Sequence, residues 1–186
     1  MYSQPSFYKF SEDSILLAKF CAEKFKSKKH ISVLDLCSGC GVVGIEFCLE
    51  HENVDRVCFV EEQNEFNHHL LENIKKLTFD IKSEIYIKSL QNFDFPQRFD
   101  VIICNPPFFI EGTGRSSSDP RKNKCHFFSE EMLDLLLIVA KNSLAKEGEF
   151  YFLGRKDQKS IQYYMNHRVI SEVKNIGKSS IFSIHN

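Results

Sequence analysis

The stretch Asn105-Pro106-Pro107-Phe108 contains the groups best suited to chemistry in this sequence, because a single amide side chain precedes two prolines. It follows the continuous apolar run Phe99–Cys104, which is typical of a buried parallel strand. The prolines lack N–H donors and keep Asn105 out of the helical region. The predicted corner therefore offers an amide, backbone carbonyls that only accept hydrogen bonds, and the ring of Phe108. These groups suit a planar substrate that carries an NH₂ group.

A glycine-rich loop follows the first predicted strand and leads into a helix. Gly39, Gly41 and Gly44 have the spacing of nucleotide-binding loops, in which glycines permit a tight turn and a close approach of the backbone to the ligand. Ser38 lies in the same loop. The position of this loop between a strand and a helix predicts a site for a nucleotide-like cofactor.

Two acidic residues indicate which cofactor this is. Asp35, at the end of the first strand, would repel a diphosphate at the helix N-terminus, but it suits a cationic amino acid group. Glu61 ends the second strand, where a carboxylate can accept hydrogen bonds from both ribose hydroxyls, and Glu62 is an alternative. S-adenosyl-L-methionine carries a sulfonium, an ammonium and no phosphate. The sequence therefore favours S-adenosylmethionine over NAD.

Alternating strand-like and helix-like segments predict an α/β fold with a mostly parallel seven-stranded sheet, helices on both faces and a C-terminal antiparallel hairpin. The predicted strands are Ile31–Leu36, Arg56–Val60, Glu84–Ile87, Phe99–Cys104, Glu149–Leu153, Val169–Ile176 and Ser180–Ile184. The predicted helices are Ser11–Phe25, Val42–Leu49, Gln63–Leu77, Glu130–Ala145 and Gln158–Met165. Residues 1–186 are expected to form a single domain, in which residues 1–30 are an N-terminal helical segment.

Residues 109–129 are expected to form a substrate lid, because loops of this length in small domains are usually functional. The candidate substrate-binding residues are Pro107, Phe109, Arg115, Arg121, Lys122, Lys124 and His126. The cations among them suit phosphate groups, although His126 could equally be an ordinary surface histidine. A second basic run, Lys24–His30, is typical of a solvated helix end, with contact to RNA phosphates as the alternative.

Composition restricts the class of protein. A net charge of −1 means that any site for a polyanion must be local. There is neither a long apolar run nor a visible secretory signal, so a cytoplasmic protein without contact to a membrane is expected. The seven cysteines are predicted to be reduced, and Cys37-x-x-Cys40 lacks the second pair that a zinc site needs. We expect a monomer that holds no metal.

Taken together, Asp35-x-Cys-Ser-Gly-x-Gly, Glu61 and Asn105-Pro-Pro-Phe108 resemble the Rossmann-like amino methyltransferases. Within that superfamily, the chain most resembles the bacterial adenine-N6 methyltransferases that act beside the anticodon of valine tRNA. Two features support this finer resemblance: the segment Asp13-Ser14-Ile15-Leu16-Leu17-Ala18, and Asn-Pro-Pro-Phe-Phe109 followed closely by Gly112. The basic segment Arg121–His126, with Ser129 and Leu133 after it, is also similar to the family. It implies an S-adenosylmethionine-dependent enzyme whose partner is RNA, with tRNA favoured.

The resemblance also implies roles for individual residues. Asn105, Pro106 and Phe108 would be catalytic, and the cofactor would be bound by Asp13, Asp35, Ser38, Gly39, Gly41, Glu61, Leu90 and Asn105. The chain departs from the family pattern at two places. The aspartate that often contacts the cofactor adenine is absent after the third strand, which leaves Leu90, a backbone N–H or Asn92 for that contact. Cys125 stands where the family has an arginine.

The corner predicts how an amino group would be methylated. If the Asn105 side-chain carbonyl and the Pro106 backbone carbonyl each accept one N–H, the amino lone pair can turn towards a sulfonium methyl group, while Phe108 stacks on the base. The glutamine side chain of a protein and the guanine amine of ribosomal RNA offer a similar NH₂ group and remain alternatives. Two further classes stay open: an NAD-dependent oxidoreductase and a non-catalytic RNA-binding module.

Overall fold

The protein, described by a computed structural model, is built around a central sheet. The structure describes residues 1–77, 81–92, 95, 97–107, 109–110, 117–128 and 130–184. At residues 92, 109–110, 126–128 and 130 it describes the backbone only. Within the described residues the strands are β1 (Ile31–Leu36), β2 (Val54–Glu61), β3 (Lys82–Ile87), β4 (Phe99–Cys104), β5 (Phe109–Ile110), β6 (Phe127–Phe128), β7 (Leu144–Gly154), β8 (Ile170–Asn175) and β9 (Ser180–Ile184). The helices are α1 (Glu12–Lys24), α2 (Val42–Glu50), α3 (Asn67–Ile74), α4 (Pro120–His126), α5 (Glu130–Ser143) and α6 (Lys159–Asn166), with short 3₁₀ turns at Asn64–Phe66 and Leu90–Asn92.

Seven of these strands form one sheet in the order β3-β2-β1-β4-β7-β9-β8. The first five are parallel, whereas β9 runs antiparallel to both β7 and β8. The predicted α/β fold with a C-terminal antiparallel hairpin is therefore confirmed. The second strand of the hairpin, β9, inserts between β7 and β8. In addition, β7 begins already at Leu144, because that residue pairs with Phe99 of β4.

Apolar side chains alternate between the two faces of the sheet and thereby create two cores. Along β1, Val33 faces the core beneath α1, α2 and α3, whereas Leu34 and Leu36 face the core beneath α5 and α6. In β4, Val101 and Ile103 alternate with Ile102 and Cys104 in the same way. Burial on both faces explains why these strands read as continuous apolar runs. Among the helices of the described ranges, none has the length and apolar character needed to cross a bilayer.

The segment expected to be a lid loop has local structure where the chain is described. Helix α4 begins at Pro120, and the Asp119 Oδ1 atom accepts a hydrogen bond from the Arg121 backbone N–H at 3.0 Å. An aspartate at the N-cap followed by proline at the first helical position is a common way to start a helix. The prediction of a loop throughout 109–129 was therefore wrong at α4 and at the paired strands β5 and β6.

The order of the strands places β1 and β4 side by side, although β2 and β3 lie between them in sequence. Leu36 at the end of β1 is in register with Val60 of β2 and Cys104 of β4. The residues that follow these three positions therefore share one edge of the sheet. In open α/β sheets, ligands bind at such a point, outside the carboxyl ends of the strands.

Candidate active site

A cavity of about 520 Å³ opens at this carboxyl edge, and it combines residues that are far apart in the sequence. Its lining residues are Tyr8, Cys37, Gly39, Val60, Glu61, Glu62, Gln63, Phe66, Lys88, Leu90, Asn105, Pro107, Pro120, Asn123, Lys124, Cys125 and Met132. The predicted glycine loop, the acidic residue after β2 and the proline corner thus meet in one place. The volume lies within the range of about 300–1,000 Å³ that is typical of small-molecule sites.

The glycine loop has the backbone conformations that its sequence predicts. Gly41, which precedes α2, has φ 80°, and a Cβ atom there would lie only 2.3 Å from Leu70 Cδ1. A Cβ atom on Gly44 would lie 2.7 Å from the Phe59 ring. The glycines therefore allow α2 to start close against β2 and α3. Gly39 lines the cavity, whereas Gly41, also predicted to bind the cofactor, does not.

Asp35 lies directly under this loop and is completely buried. Its Oδ2 atom accepts a hydrogen bond from the Gly44 backbone N–H at 2.8 Å, whereas its buried Oδ1 atom has no partner within the described residues. Burial raises the pKa of Asp35 to about 8, and the nearby Glu61 carboxylate acts in the same direction. Asp35 does not itself line the cavity. A buried carboxylate with a vacant acceptor position favours a nearby cation.

Glu61 forms the wall of the cavity at the end of β2. Its Oε2 atom accepts a hydrogen bond from the Gly39 N–H and its Oε1 atom accepts one from the Gln63 N–H, both at 2.8 Å. Burial raises the pKa of the Glu61 carboxyl, and these backbone donors oppose that effect. Because each carboxylate oxygen can accept more than one hydrogen bond, the side chain keeps capacity for ligand hydroxyls. The neighbouring Glu62 also lines the cavity but is exposed.

Asn105 lies on the opposite side, at the end of β4. Its Nδ2 atom donates a hydrogen bond to Ser14 Oγ of α1 at 2.7 Å. Its Oδ1 atom is buried and has no partner in the part of the chain that the structure describes. Pro107 lines the cavity beside it, whereas Pro106 is buried and lines a smaller adjoining pocket. The corner therefore keeps an acceptor oxygen without a partner in the described ranges, on a residue that lines the cavity.

Only some of the described residues of the basic segment Arg121–His126 line the cavity. Lys124 lines it together with Pro120, Asn123 and Cys125 of α4. Arg121 and Lys122 are exposed and do not line it. The guanidinium of Arg121 contacts Asp119 at 2.8 Å and lies over the ring of Phe7. The predicted contacts of Phe108 and Arg115, and those of the Phe109 and His126 side chains, lie outside the described residues.

Three further cofactor candidates occupy different positions. Leu90 lines the cavity, next to Lys88. Ser38 is buried, and its Oγ atom has no partner among the described residues. Asp13 is partly exposed in the first turn of α1 and does not line the cavity. Within the described ranges, no group of three or more histidine, cysteine or acidic side chains is arranged to hold a metal ion.

Sequence reasoning missed several lining residues. Tyr8 packs edge-on against Phe66, with ring centroids 5.1 Å apart, and closes the cavity beside the glycine loop. Gln63 is buried, and its Nε2 atom lies 3.3 Å from Cys125 Sγ on α4, while its Oε1 atom has no partner among the described residues. The position of Gln63 just after the acidic pair was a usable signal. Nothing in the local sequence marks Tyr8.

Comparisons with known proteins identify similar chains. A tRNA1(Val) (adenine(37)-N6)-methyltransferase from Actinobacillus pleuropneumoniae serotype 7 is 28% identical over 145 residues, which are 78% of this chain and 58% of that protein. A release factor glutamine methyltransferase from Clostridium botulinum is 26% identical over 107 residues, or 53% of this chain and 35% of that protein. The chain thus spans less than two thirds of the length of these relatives.

Solved structures share the fold at low identity. A 16S rRNA N2 methyltransferase from T. thermophilus, in complex with AdoMet and guanosine, has a TM-score of 0.70 at 17% identity. The matched region covers 97% of this chain and 44% of the T. thermophilus chain. A ribosomal protein L11 methylase from Lactobacillus delbrueckii subsp. bulgaricus has a TM-score of 0.69 at 18% identity, and the match covers 96% of this chain and 80% of the methylase chain. The family model of the methyltransferase small domain matches residues 9–186. The chain therefore belongs to the methyltransferase small domain family.

Proposed function

We propose that this protein transfers a methyl group from S-adenosylmethionine to the exocyclic amino nitrogen of adenine in RNA, with tRNA as the favoured substrate. The observation that carries the proposal is the set of buried polar atoms without partners at this site. Within the described residues these atoms are Asp35 Oδ1, Ser38 Oγ, Gln63 Oε1 and Asn105 Oδ1. Gln63 and Asn105 line the cavity, whereas Asp35 and Ser38 lie beside the glycine loop. Since buried polar groups are normally hydrogen-bonded, four such atoms at or next to one cavity suggest that its ligands supply partners.

The residues on one side of the cavity fit the cofactor. Asp35 and Ser38 offer acceptors next to the glycine loop for an ammonium group, and Glu61 offers a carboxylate for ribose hydroxyls. Leu90 and Phe66 supply apolar surface for the adenine. When bound, S-adenosylmethionine would supply an electrophilic methyl group on a sulfonium. No phosphate site is needed, and the buried Asp35 carboxyl argues against a diphosphate cofactor such as NAD.

The residues on the other side fit an amino group. The Asn105 Oδ1 atom would accept one N–H of the acceptor, and the Pro106 backbone carbonyl would accept the other. Both hydrogen bonds draw the nitrogen towards a pyramidal geometry and orient its lone pair. Orientation of this kind can contribute about 7–11 kcal/mol at best. Pro107 and Phe108 would hold the base, and no strong base is needed because the nitrogen becomes acidic as positive charge develops on it.

An RNA substrate is supported by charge and by the named relatives. Lys124 lines the cavity, and the exposed Lys122 lies on the same helix, so the mouth can meet a phosphate backbone. The relative that covers 78% of this chain is named a tRNA methyltransferase. A protein glutamine, suggested by the relative that covers 53%, is the competing acceptor. A monomer located in the cytoplasm remains the prediction from the sequence.

The test is transfer of a labelled methyl group to three acceptors: bulk tRNA, ribosomal RNA and a glutamine-containing protein fraction. Digestion of the labelled tRNA to nucleosides should yield N6-methyladenosine. Label on a guanine amine or on glutamine would reject the adenine assignment while keeping methyl transfer to an amino group. Cofactor binding with no transfer to any acceptor would favour the non-catalytic RNA-binding module.

A further inference from the structure

The hydrogen bond between Asn105 and Ser14 joins the proline corner to a helix 91 positions earlier in the chain. Ser14 belongs to the first turns of α1 and is only 2% exposed. Its Oγ atom lies 2.7 Å from Asn105 Nδ2 and accepts a hydrogen bond from it. On the other branch of the same amide, Asn105 Oδ1 is buried without a partner among the described residues. In this arrangement the Nδ2 end of the amide is bonded to Ser14, and the Oδ1 end keeps its acceptor capacity for a ligand.

A primary amide has two ends of nearly equal shape and opposite hydrogen-bonding character. If the amide turned over, Nδ2 would face the cavity and present a donor to the incoming N–H group. Two donors cannot bond to each other, so the acceptor amine would be repelled from the position it needs. The orientation of Asn105 therefore decides whether the corner can accept an amine at all.

We propose that Ser14 is a positioning residue that fixes the Asn105 amide with its carbonyl oxygen towards the acceptor amine. This inference rests on the proposed function and adds a residue to the site. Ser14 does not line the cavity and touches neither reactant; it acts through Asn105.

The first test compares Ser14→Ala with the wild-type protein. Without the Ser14 hydroxyl, the amide loses its hydrogen-bonding partner and is free to turn, so we expect a roughly tenfold lower single-turnover rate. Cofactor affinity should stay within about twofold, because Ser14 does not line the cavity. The matched control is Ser143→Ala, another buried helical serine, at the end of α5. Equal losses in both variants would overturn the proposal, because they would indicate a general packing effect.

The second test removes the property on which the proposal depends. In Asn105→Asp both branches of the side chain are acceptors, so no orientation is wrong. Adding Ser14→Ala to Asn105→Asp should therefore cost less than about twofold, against roughly tenfold in the native background. An equal loss in both backgrounds would overturn the inference.

Activity of the wild-type protein distinguishes failure of the inference about Ser14 from failure of the proposed function. Wild-type transfer to an amino acceptor with full activity in Ser14→Ala would overturn the inference alone. Absence of wild-type transfer to every acceptor would overturn the proposed function and the inference with it.

Discussion

The two walls of the cavity are built in different ways. The proposed cofactor wall, formed by Gly39 and Glu61 next to the buried Asp35, is held by hydrogen bonds from nearby backbone N–H groups to buried carboxyl groups. The acceptor wall, formed by Asn105, Pro107 and Lys124, depends on long-range contacts such as the bond from Asn105 to Ser14. The first wall is acidic and deeply buried, whereas the second presents an amide and an exposed lysine.

This difference suggests how binding and specificity are divided. Backbone donors and glycine conformations fix the cofactor wall once the strands have formed, so its geometry follows from the fold. Side chains from α1 and α4 complete the acceptor wall, and such contacts can change without disturbing the sheet. We therefore expect changes in the two walls to affect different steps: cofactor binding for the first, and acceptor binding and transfer for the second.

The largest effect should come from Asn105→Ala, which removes the acceptor oxygen from the second wall. By analogy with the loss of one oriented hydrogen-bonding group in other active sites, we expect the transfer rate to fall by about 10²–10³-fold. Cofactor affinity, measured by calorimetry, should change little. Unchanged turnover would contradict the role of Asn105. A parallel loss of cofactor affinity would contradict the assignment of the two walls to different steps.

The next effect concerns the first wall. Glu61→Gln replaces one of two acceptor oxygens with an NH₂ group that faces a backbone donor, so cofactor affinity should fall by about 10- to 100-fold. The transfer rate at saturating cofactor should be much less affected. Glu62→Gln is the matched comparison, because Glu62 also lines the cavity but is exposed. A larger loss in Glu62→Gln would reverse the assignment of the ribose-binding carboxylate.

A smaller effect should appear as pH dependence of cofactor binding. Because the pKa of Asp35 is raised to about 8, the free protein holds a proton there at lower pH. A cationic ligand favours the carboxylate, so cofactor affinity should increase as pH rises from about 6 to 7.5, by up to about tenfold per pH unit. Glu61 shifts in the same direction, and Asp35→Asn isolates the contribution of Asp35. Affinity that falls with pH would contradict this assignment.

The same shift determines the sign of a stability change. Between its ordinary pKa of 3.8 and its folded pKa of about 8, Asp35 binds a proton in the folded state but not in the unfolded state. Its contribution to the free energy of unfolding is therefore largest at low pH and is lost as pH rises to about 8. Denaturation of the free protein at several pH values should reveal this decline, and Asp35→Asn should reduce it. The same slope in both proteins would contradict a proton on Asp35.

The smallest effect should come from Lys124→Ala at the mouth of the acceptor wall. Removal of one phosphate contact should weaken RNA binding a few-fold and lower the slope of log K against log salt by about 0.7–0.9. Lys29→Ala is the control, because Lys29 precedes β1 at the amino edge of the sheet, away from the cavity. An equal loss in Lys29→Ala would favour the Lys24–His30 run as the phosphate-binding surface.

The cofactor wall could be predicted from the sequence because its signals are local. The glycine spacing and the acidic residue at the end of β2 each accompany an apolar run, as does the proline corner of the acceptor wall, and strand order brings them together. The acceptor wall could be predicted only in part. Ser14 and Tyr8 reach the site from the N-terminal segment through tertiary packing, which no local pattern encodes. Helix α4 did have a signal, since Asp119-Pro120 is a common helix start.

In the proposed reaction, one wall of the cavity binds S-adenosylmethionine while the Asn105 carbonyl on the other accepts an amino N–H. The most direct test is a crystal structure with S-adenosylhomocysteine and an adenosine-containing oligonucleotide. We predict a ribose at Glu61 and an exocyclic adenine nitrogen about 2.7–3.2 Å from Asn105 Oδ1. A complex in which Asn105 Nδ2 faces the base, or in which the cofactor lies away from the glycine loop, would contradict the account.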